Sequence, residues 1–202
     1  MNRVEQNRIP TRYMYIHIIY IHIIMETAVK TIWSIDPTHS EVQFKVKHLV
    51  ISTVTGTFKK FEGSLESDSE DFDGATASFS IDVDSIDTNV ADRDAHLKSD
   101  DFFAADKHPQ ITFTNGVLAK SGDDYKLTGD LTMRGVTKNV TLDVELGGVM
   151  VDPYGQTKAG FEISGKVNRK DFGLAWSAVT EAGGIVVADE VKLQLNIQVV
   201  RG

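Results

Sequence analysis

Ala75-Thr76-Ala77-Ser78-Phe79-Ser80-Ile81-Asp82-Val83-Asp84 decides how this chain folds. Every odd-numbered side chain here is apolar, and every even-numbered one is a hydroxyl or a carboxylate. Successive side chains of a strand point to opposite faces, so a period of two marks a strand with one buried and one wet face. The same period appears on both sides. Upstream, Val42, Phe44, Val46 and His48 share one face of Glu41–His48, while Glu41, Gln43, Lys45 and Lys47 share the other. Shorter runs lie at Thr31–Ile35, Ser52–Phe58 and Phe61–Ser67, and an acidic loop follows over Ser67–Gly74. Downstream, Ile111 and Phe113 resume the apolar face, followed by Tyr125, Leu127, Leu131 and Met133. Next come Val140, Leu142, Val144 and Leu146, and then Phe161, Ile163 and Val167. Val191, Leu193, Leu195, Ile197 and Val199 make the last strand, after a long irregular loop over Phe172–Asp189.

About eight or nine antiparallel strands result. Sheets with one apolar face must bury it against another sheet or close on themselves. The pattern alone leaves a packed sandwich and a barrel both open. Small inward positions at Ala75, Ala77, Gly129 and Gly165 predict unfilled space beside large neighbours. Gly165 also suits a kink or a close backbone approach.

One stretch breaks the alternation: Arg93-Asp94-Ala95-His96-Leu97-Lys98-Ser99-Asp100-Asp101-Phe102-Phe103. It reads as a short helix capped by Asn89, with Asp92 favouring the positive end of its dipole. Asp94 and Lys98, four apart, are placed to pair on its exposed face. Leu97, Phe102 and Phe103 are expected to turn inward as a plug. Arg93 is expected to tie the helix to a strand end rather than to meet a ligand.

At 202 residues, with 41% hydrophobic and 25% charged, the composition is that of an ordinary globular domain. No apolar run reaches the length of a membrane-spanning helix, so no stable membrane insertion is expected. A net charge of −8 makes nucleic acid and anionic surfaces poor default partners. The absence of cysteine removes disulfides and thiol chemistry. Residues 1–24 combine Arg3, Arg8 and Arg12 with an apolar run from Tyr13 to Ile24. That resembles a signal, but His17 and His22 interrupt the run and no small-x-small cleavage site follows. Residues 1–24 are therefore set apart as a leader, either a spurious extension or a degenerate signal, and the domain is placed at 29–202. A start at Met25 predicts a cytoplasmic protein, and a working signal predicts a periplasmic one. The six histidines are scattered without metal-ligand spacing, and no nucleophile elbow or phosphate loop occurs. Neither catalytic residues nor a metal are expected.

Separated motifs, in order, carry a resemblance. They are Trp33-Ser34-Ile35-Asp36-Pro37-Thr38-His39-Ser40, Phe44-Lys45-Val46-Lys47-His48, Gly56-Thr57-Phe58, Phe61-Glu62-Gly63 and Ser85-Ile86-Asp87-Thr88. Further on come Arg93–Leu97, Ser99–Phe103, Pro109–Phe113, Gly129–Val136 and Arg169–Gly173. Together the sequence resembles the YceI-like family from about Thr31 to Val200. The resemblance implies an all-β fold: a single extended eight-stranded antiparallel lipocalin-like barrel with one short helix. It implies non-catalytic carriage or storage of a long-chain isoprenoid or polyprenyl amphiphile, bound as a ligand with no cofactor. Fatty acid or fatty amide binding, or an enzyme acting on such a lipid, are the alternatives, and a homodimer is possible. Val42, Phe44, Val46, Phe79, Ile81, Leu97 and Phe102 are assigned to the tail lining. Phe113, Leu131, Leu142, Phe161, Phe172 and Trp176 join them. His48, Arg93 and His96 are assigned to the head group at the rim.

Overall fold

Eleven strands run in sequence: β1 (Thr31–Ile35), β2 (Glu41–His48), β3 (Ser52–Phe58), β4 (Phe61–Ser67), β5 (Thr76–Asp82), β6 (Ile86–Asp87), β7 (Gln110–Ser121), β8 (Asp124–Met133), β9 (Val136–Val151), β10 (Thr157–Asn168) and β11 (Val187–Arg201). Among the described residues one α-helix, α1 (Ala91–Lys98), interrupts them. These come from a computed structural model that describes residues 30–178 and 186–202. The expected leader lies outside the described residues, as does part of the loop expected over Phe172–Asp189.

Six of the eleven strands are halves of three bent staves. β1 and β2 follow one another along β11, with Ile35 opposite Val199 and Glu41 opposite Asn196. β3 and β4 pair with β2 and β1 in turn, and β6 and β5 pair with β3 and β4. Each remaining strand pairs antiparallel with its neighbour in sequence, and β11 closes the ring on β1 and β2. The result is a closed eight-stave antiparallel barrel in which every stave has two neighbours. Closure removes the exposed edges that an open sheet must otherwise protect. At about 3.3 Å per residue, the 16 residues of β9 make a stave roughly 50 Å long.

The alternating pattern becomes the barrel wall. Ala75, Ile81 and Val83 are buried, as are Leu127, Leu131 and Met133, and Phe161 and Val167. Of the small inward positions, Ala77 lines the cavity, but Gly129 and Gly165 do not leave the space expected of them. A methyl added to Gly129 would lie 2.5 Å from Phe113 Cζ, and one added to Gly165 would lie 2.4 Å from Leu142 Cδ2. A large side chain from the adjacent strand already fills each gap, so these glycines permit packing rather than cavity.

The two ends differ. At one, the acidic loop does more than meet water. Phe72 within it has φ +54° and no exposed surface. Its ring meets Trp33 edge-on at 5.2 Å and Phe161 at 5.1 Å. Asp73 accepts from Lys120 N–H at 2.8 Å, and Tyr125 donates its hydroxyl to the Asp71 carbonyl. At the other end lies α1. Its N-cap is Val90, without a side-chain cap, and Asn89 sits at φ +61°. Asn89 therefore does not cap the helix. Asp94 instead ties the helix to the chain before it, accepting from Thr88 N–H at 2.9 Å and Thr88 Oγ1 at 2.5 Å. Nor does Lys98 pair with Asp94; it approaches Asp84 at 3.9 Å.

Candidate functional site

The inward faces enclose a cavity with about 220 Å³ of room for the centres of water-sized groups. Its walls are almost wholly aliphatic and aromatic. Period-two alternation sends one set of side chains per stave inward, and ring closure brings those sets together. Val42, Phe44 and Val46 line it from β2, Phe79 and Ile81 from β5, and Phe113 from β7. Leu131, Leu142 and Phe161 line it from β8, β9 and β10, and Leu97 and Phe102 reach it from α1 and the turn beyond. Phe172 and Trp176, also assigned to the tail, do not line it. Phe172 is buried in a short 3-10 turn, Arg169–Phe172. Trp176 instead packs against Phe102 at 5.3 Å and His96 at 5.1 Å.

The three residues assigned to a head group each have partners of their own. His48 ends β2, half-buried, opposite Ser52 and Val187, just past the last lining residue of its strand. Arg93 is engaged within its own segment. Its Nε donates to Thr88 Oγ1 and its Nη2 to the Thr88 carbonyl, both at 2.7 Å. His96 lies beside Asp101, with Nε2 3.0 Å from Oδ2, and its ring stands edge-on to Phe102 at 5.1 Å.

Among the described residues, the one cation on the cavity wall is Arg169, only 4% exposed. Its guanidinium donates to the carbonyls of Ala188 (3.0 Å), Leu174 (2.6 Å), Trp176 (2.7 Å) and Val187 (3.3 Å), and to Asp189 Oδ1 (3.2 Å). Burial lowers its pKa, and Asp189 opposes that shift. A guanidinium stays charged across the physiological range even so. With its fork fully engaged, Arg169 offers a ligand no strong donor. It fixes the chain around the α1 end instead. Arg134 does the same from outside, donating to the carbonyls of Gly173 (2.7 Å) and Asp100 (2.8 Å).

Sequence reasoning missed Arg169 as the residue that orders this end, although its motif was noticed. Leu193, Leu195 and Ile197 of β11 also line the cavity; their alternation was legible, but they were not assigned to the site. Among the described residues, no cluster of three or more His, Asp or Glu side chains is gathered to hold a metal ion. No helix among them is long and apolar enough to cross a membrane.

A closed antiparallel barrel around an apolar lumen places the chain among the lipocalin-like barrels. Residues 33–199 match the YceI-like domain model, and the chain belongs to that family. It is 46% identical to protein YceI of Escherichia coli O17:K52:H18 over 136 residues, 67% of this chain and 71% of that one. It is 38% identical to a UPF0312 protein of Staphylococcus epidermidis over 169 residues, 83% and 96% of the two chains. Among solved structures, BcnA of Burkholderia cenocepacia superposes with a TM-score of 0.71 at 25% identity, covering 81% of this chain and 98% of that one. A polyisoprenoid binding domain from Saccharophagus degradans superposes at 0.62 and 14% identity, covering 84% and 98%; it shares the fold.

Proposed function

We propose that this protein binds and carries a long-chain isoprenoid amphiphile in its barrel, tail inward, without transforming it. The observation that carries the reading is an apolar lumen whose one charged wall residue among the described residues, Arg169, is saturated by the protein itself. Such a space rewards apolar volume and offers little to a polar or charged group, which loses hydration there without gaining a partner. The polyisoprenoid-binding activity in the name of the Saccharophagus degradans domain supports the same ligand class.

The cavity sets a scale. At about 30 Å³ for each water-sized group, 220 Å³ holds about seven carbons, between one and two isoprene units. Each five-carbon unit contributes about 4 kcal/mol at about 0.8 kcal/mol per buried carbon, so the enclosed part of a tail contributes about 6 kcal/mol before the several kcal/mol that association costs. A longer prenyl chain would extend through the α1 end.

Organic extraction of purified protein, followed by mass spectrometry, tests the reading. A prenyl compound recovered unchanged after long incubation is the expected result. No prenyl compound on extraction, together with no uptake of added geranylgeraniol, refutes it. Recovery of a fatty acid or fatty amide would move the ligand class.

A further inference from the structure

The hairpin joining β2 and β3 ends in Leu49-Val50-Ile51. Val50 is 75% exposed and Ile51 86%. Leu49 and Val50 sit at φ +51° and +64°, in the left-handed region. A β-branched residue there is an outlier, and a hairpin that needs positive φ ordinarily uses Asn, Asp or Gly. The tip therefore combines backbone strain with apolar exposure, and in water neither helps the fold. Strain of this kind points from the outlier toward a function.

The hairpin also departs from the rest of the molecule in charge. From Val42 to Phe58 there are two lysines, Lys45 and Lys47, and no Asp or Glu, in a chain whose net charge is −8; Lys59 and Lys60, at the far end of β3, sit beside Asp87 and Asp82. Across the outer wall, Lys45 stands opposite Lys192, and Lys192 stands opposite Lys166. Like charges directly across strands repel, and only Lys166 has a carboxylate close by, Glu190 at 3.1 Å. The tip adjoins the cavity wall: Leu49 N–H donates to the Val186 carbonyl at 2.9 Å, and Val46 and Val187 beside it line the lumen.

We propose that the Leu49–Ile51 tip docks this end of the barrel onto an anionic lipid bilayer, from which the ligand enters. This rests on the lipid-binding reading above. Three apolar side chains make too small a patch for a stable protein interface, which takes roughly 800 Å² per partner. A bilayer demands no matching shape. It accepts apolar side chains about 5–10 Å deep at the boundary between head groups and acyl chains. Lys47 and then Lys45 follow the tip at head-group level, where each basic residue adds attraction to anionic lipid. The contact is peripheral and leaves the barrel intact.

The chain has no cysteine, so a single introduced thiol labels one place. Full-length protein is made with Val50→Cys, or with Tyr154→Cys on the β9–β10 hairpin at the opposite end, and each is labelled with a nitrobenzoxadiazole. Both are mixed with vesicles of phosphatidylcholine containing about one third phosphatidylglycerol. The label at 50 is expected to shift to the blue and brighten by about twofold or more as it enters the boundary, and to do so less at high salt. The label at 154 is expected to stay unchanged. A silent label at 50, or equal responses at both positions, overturns the proposal. So does protection of the tip by a protein partner but not by vesicles. In a second arm, Ile51→Asp with Lys47→Glu is expected to slow extraction of geranylgeraniol from these vesicles about tenfold, with unchanged affinity for geranylgeraniol added from solution. Unchanged extraction also overturns docking. If the unmutated protein fails to take geranylgeraniol from solution, the lipid-binding reading itself falls; intact binding with a silent label removes docking alone.

Discussion

Replacing Arg169 with Met keeps most of the side chain's volume and removes its donors. Four backbone carbonyls and one Asp189 oxygen then lose their partner at a site where Arg169 is only 4% exposed. Bonds to a charged donor contribute about 1.5–3 kcal/mol each, but five are not additive, and some carbonyls near the barrel end will find water. Removing one member of a buried charged network typically costs about 3–5 kcal/mol. For a folded unit in the range of 150–250 residues, each kcal/mol moves Tm by about 2–4 °C. Thr31–Gly202 falls in that range, so Arg169→Met is expected to melt about 10 °C lower. Circular dichroism melting provides the assay, with loss of bound lipid on dilution as a second readout. Arg169→Lys keeps the charge but not the planar fork and is expected to recover little of the loss. A melting point within about 3 °C of the parent, with lipid retained, would refute the argument that this guanidinium organises the end of the barrel.

Phe102→Ala and Leu97→Ala are expected to speed lipid release in a stopped-flow displacement assay, and the buried Phe102 is expected to lose the larger stability, about 3–5 kcal/mol. Asp94→Asn weakens the two bonds that Thr88 donates and is expected to cost about 1–2 kcal/mol in urea unfolding; an unchanged midpoint would show that the tie contributes nothing. Gly129→Ala drives a methyl toward Phe113 and is expected to cost about 1–3 kcal/mol and shrink the cavity, whereas Gly160→Ala meets nothing within 4 Å and is expected to leave lipid capacity unchanged. Asp36 is held well below the usual carboxylate range, first by the Thr38 hydroxyl and then by His39. A carboxylate whose folded pKa is depressed stabilises the protein above its unfolded pKa and loses that contribution as pH falls toward the folded value. Stability should therefore decline below about pH 4, and Asp36→Asn should flatten that decline in unfolding curves measured across the acid range.

Where side-chain direction alone decides structure, the sequence is readable. Ala75 to Val83 alternate without error, and their inward set is the one that lines or underlies the cavity. The helix at Ala91–Lys98 was visible as a break in that period. What was not readable depended on residues far apart or on single dihedral angles. Phe72 is surrounded by acidic neighbours, and its burial follows from one backbone turn at φ +54°. Gly129 and Gly165 looked like space because the side chains that fill them, Phe113 and Leu142, come from the neighbouring strands. Asn89 looked like a cap because it precedes the helix, yet Asp94 reaches back to Thr88 instead. Trp176 was placed in the lumen by its chemistry, whereas the ring packs against Phe102. Arg169 stood in a recognised motif, but its acceptors lie up to Asp189, beyond local reasoning.

The two ends of the barrel are held differently. Opening the Phe72 end means exposing Phe72 and Trp33, both almost fully buried. Large aromatic side chains bury about 150–250 Å² each, so at about 25 cal/mol per Å² the pair resists with roughly 10 kcal/mol. At the other end α1 has no fully buried residue. Phe102 beyond the helix is buried, and Leu97 and Phe103 pack against the core, with Phe103 edge-on to Phe58 at 6.2 Å. The half-buried Arg134 adds its two bonds to Gly173 and Asp100. Arg169 belongs to this end as well and holds its rim in shape. The hairpin tip at Leu49–Ile51 stands beside this end, tied to it by Leu49 N–H donating to the Val186 carbonyl at 2.9 Å.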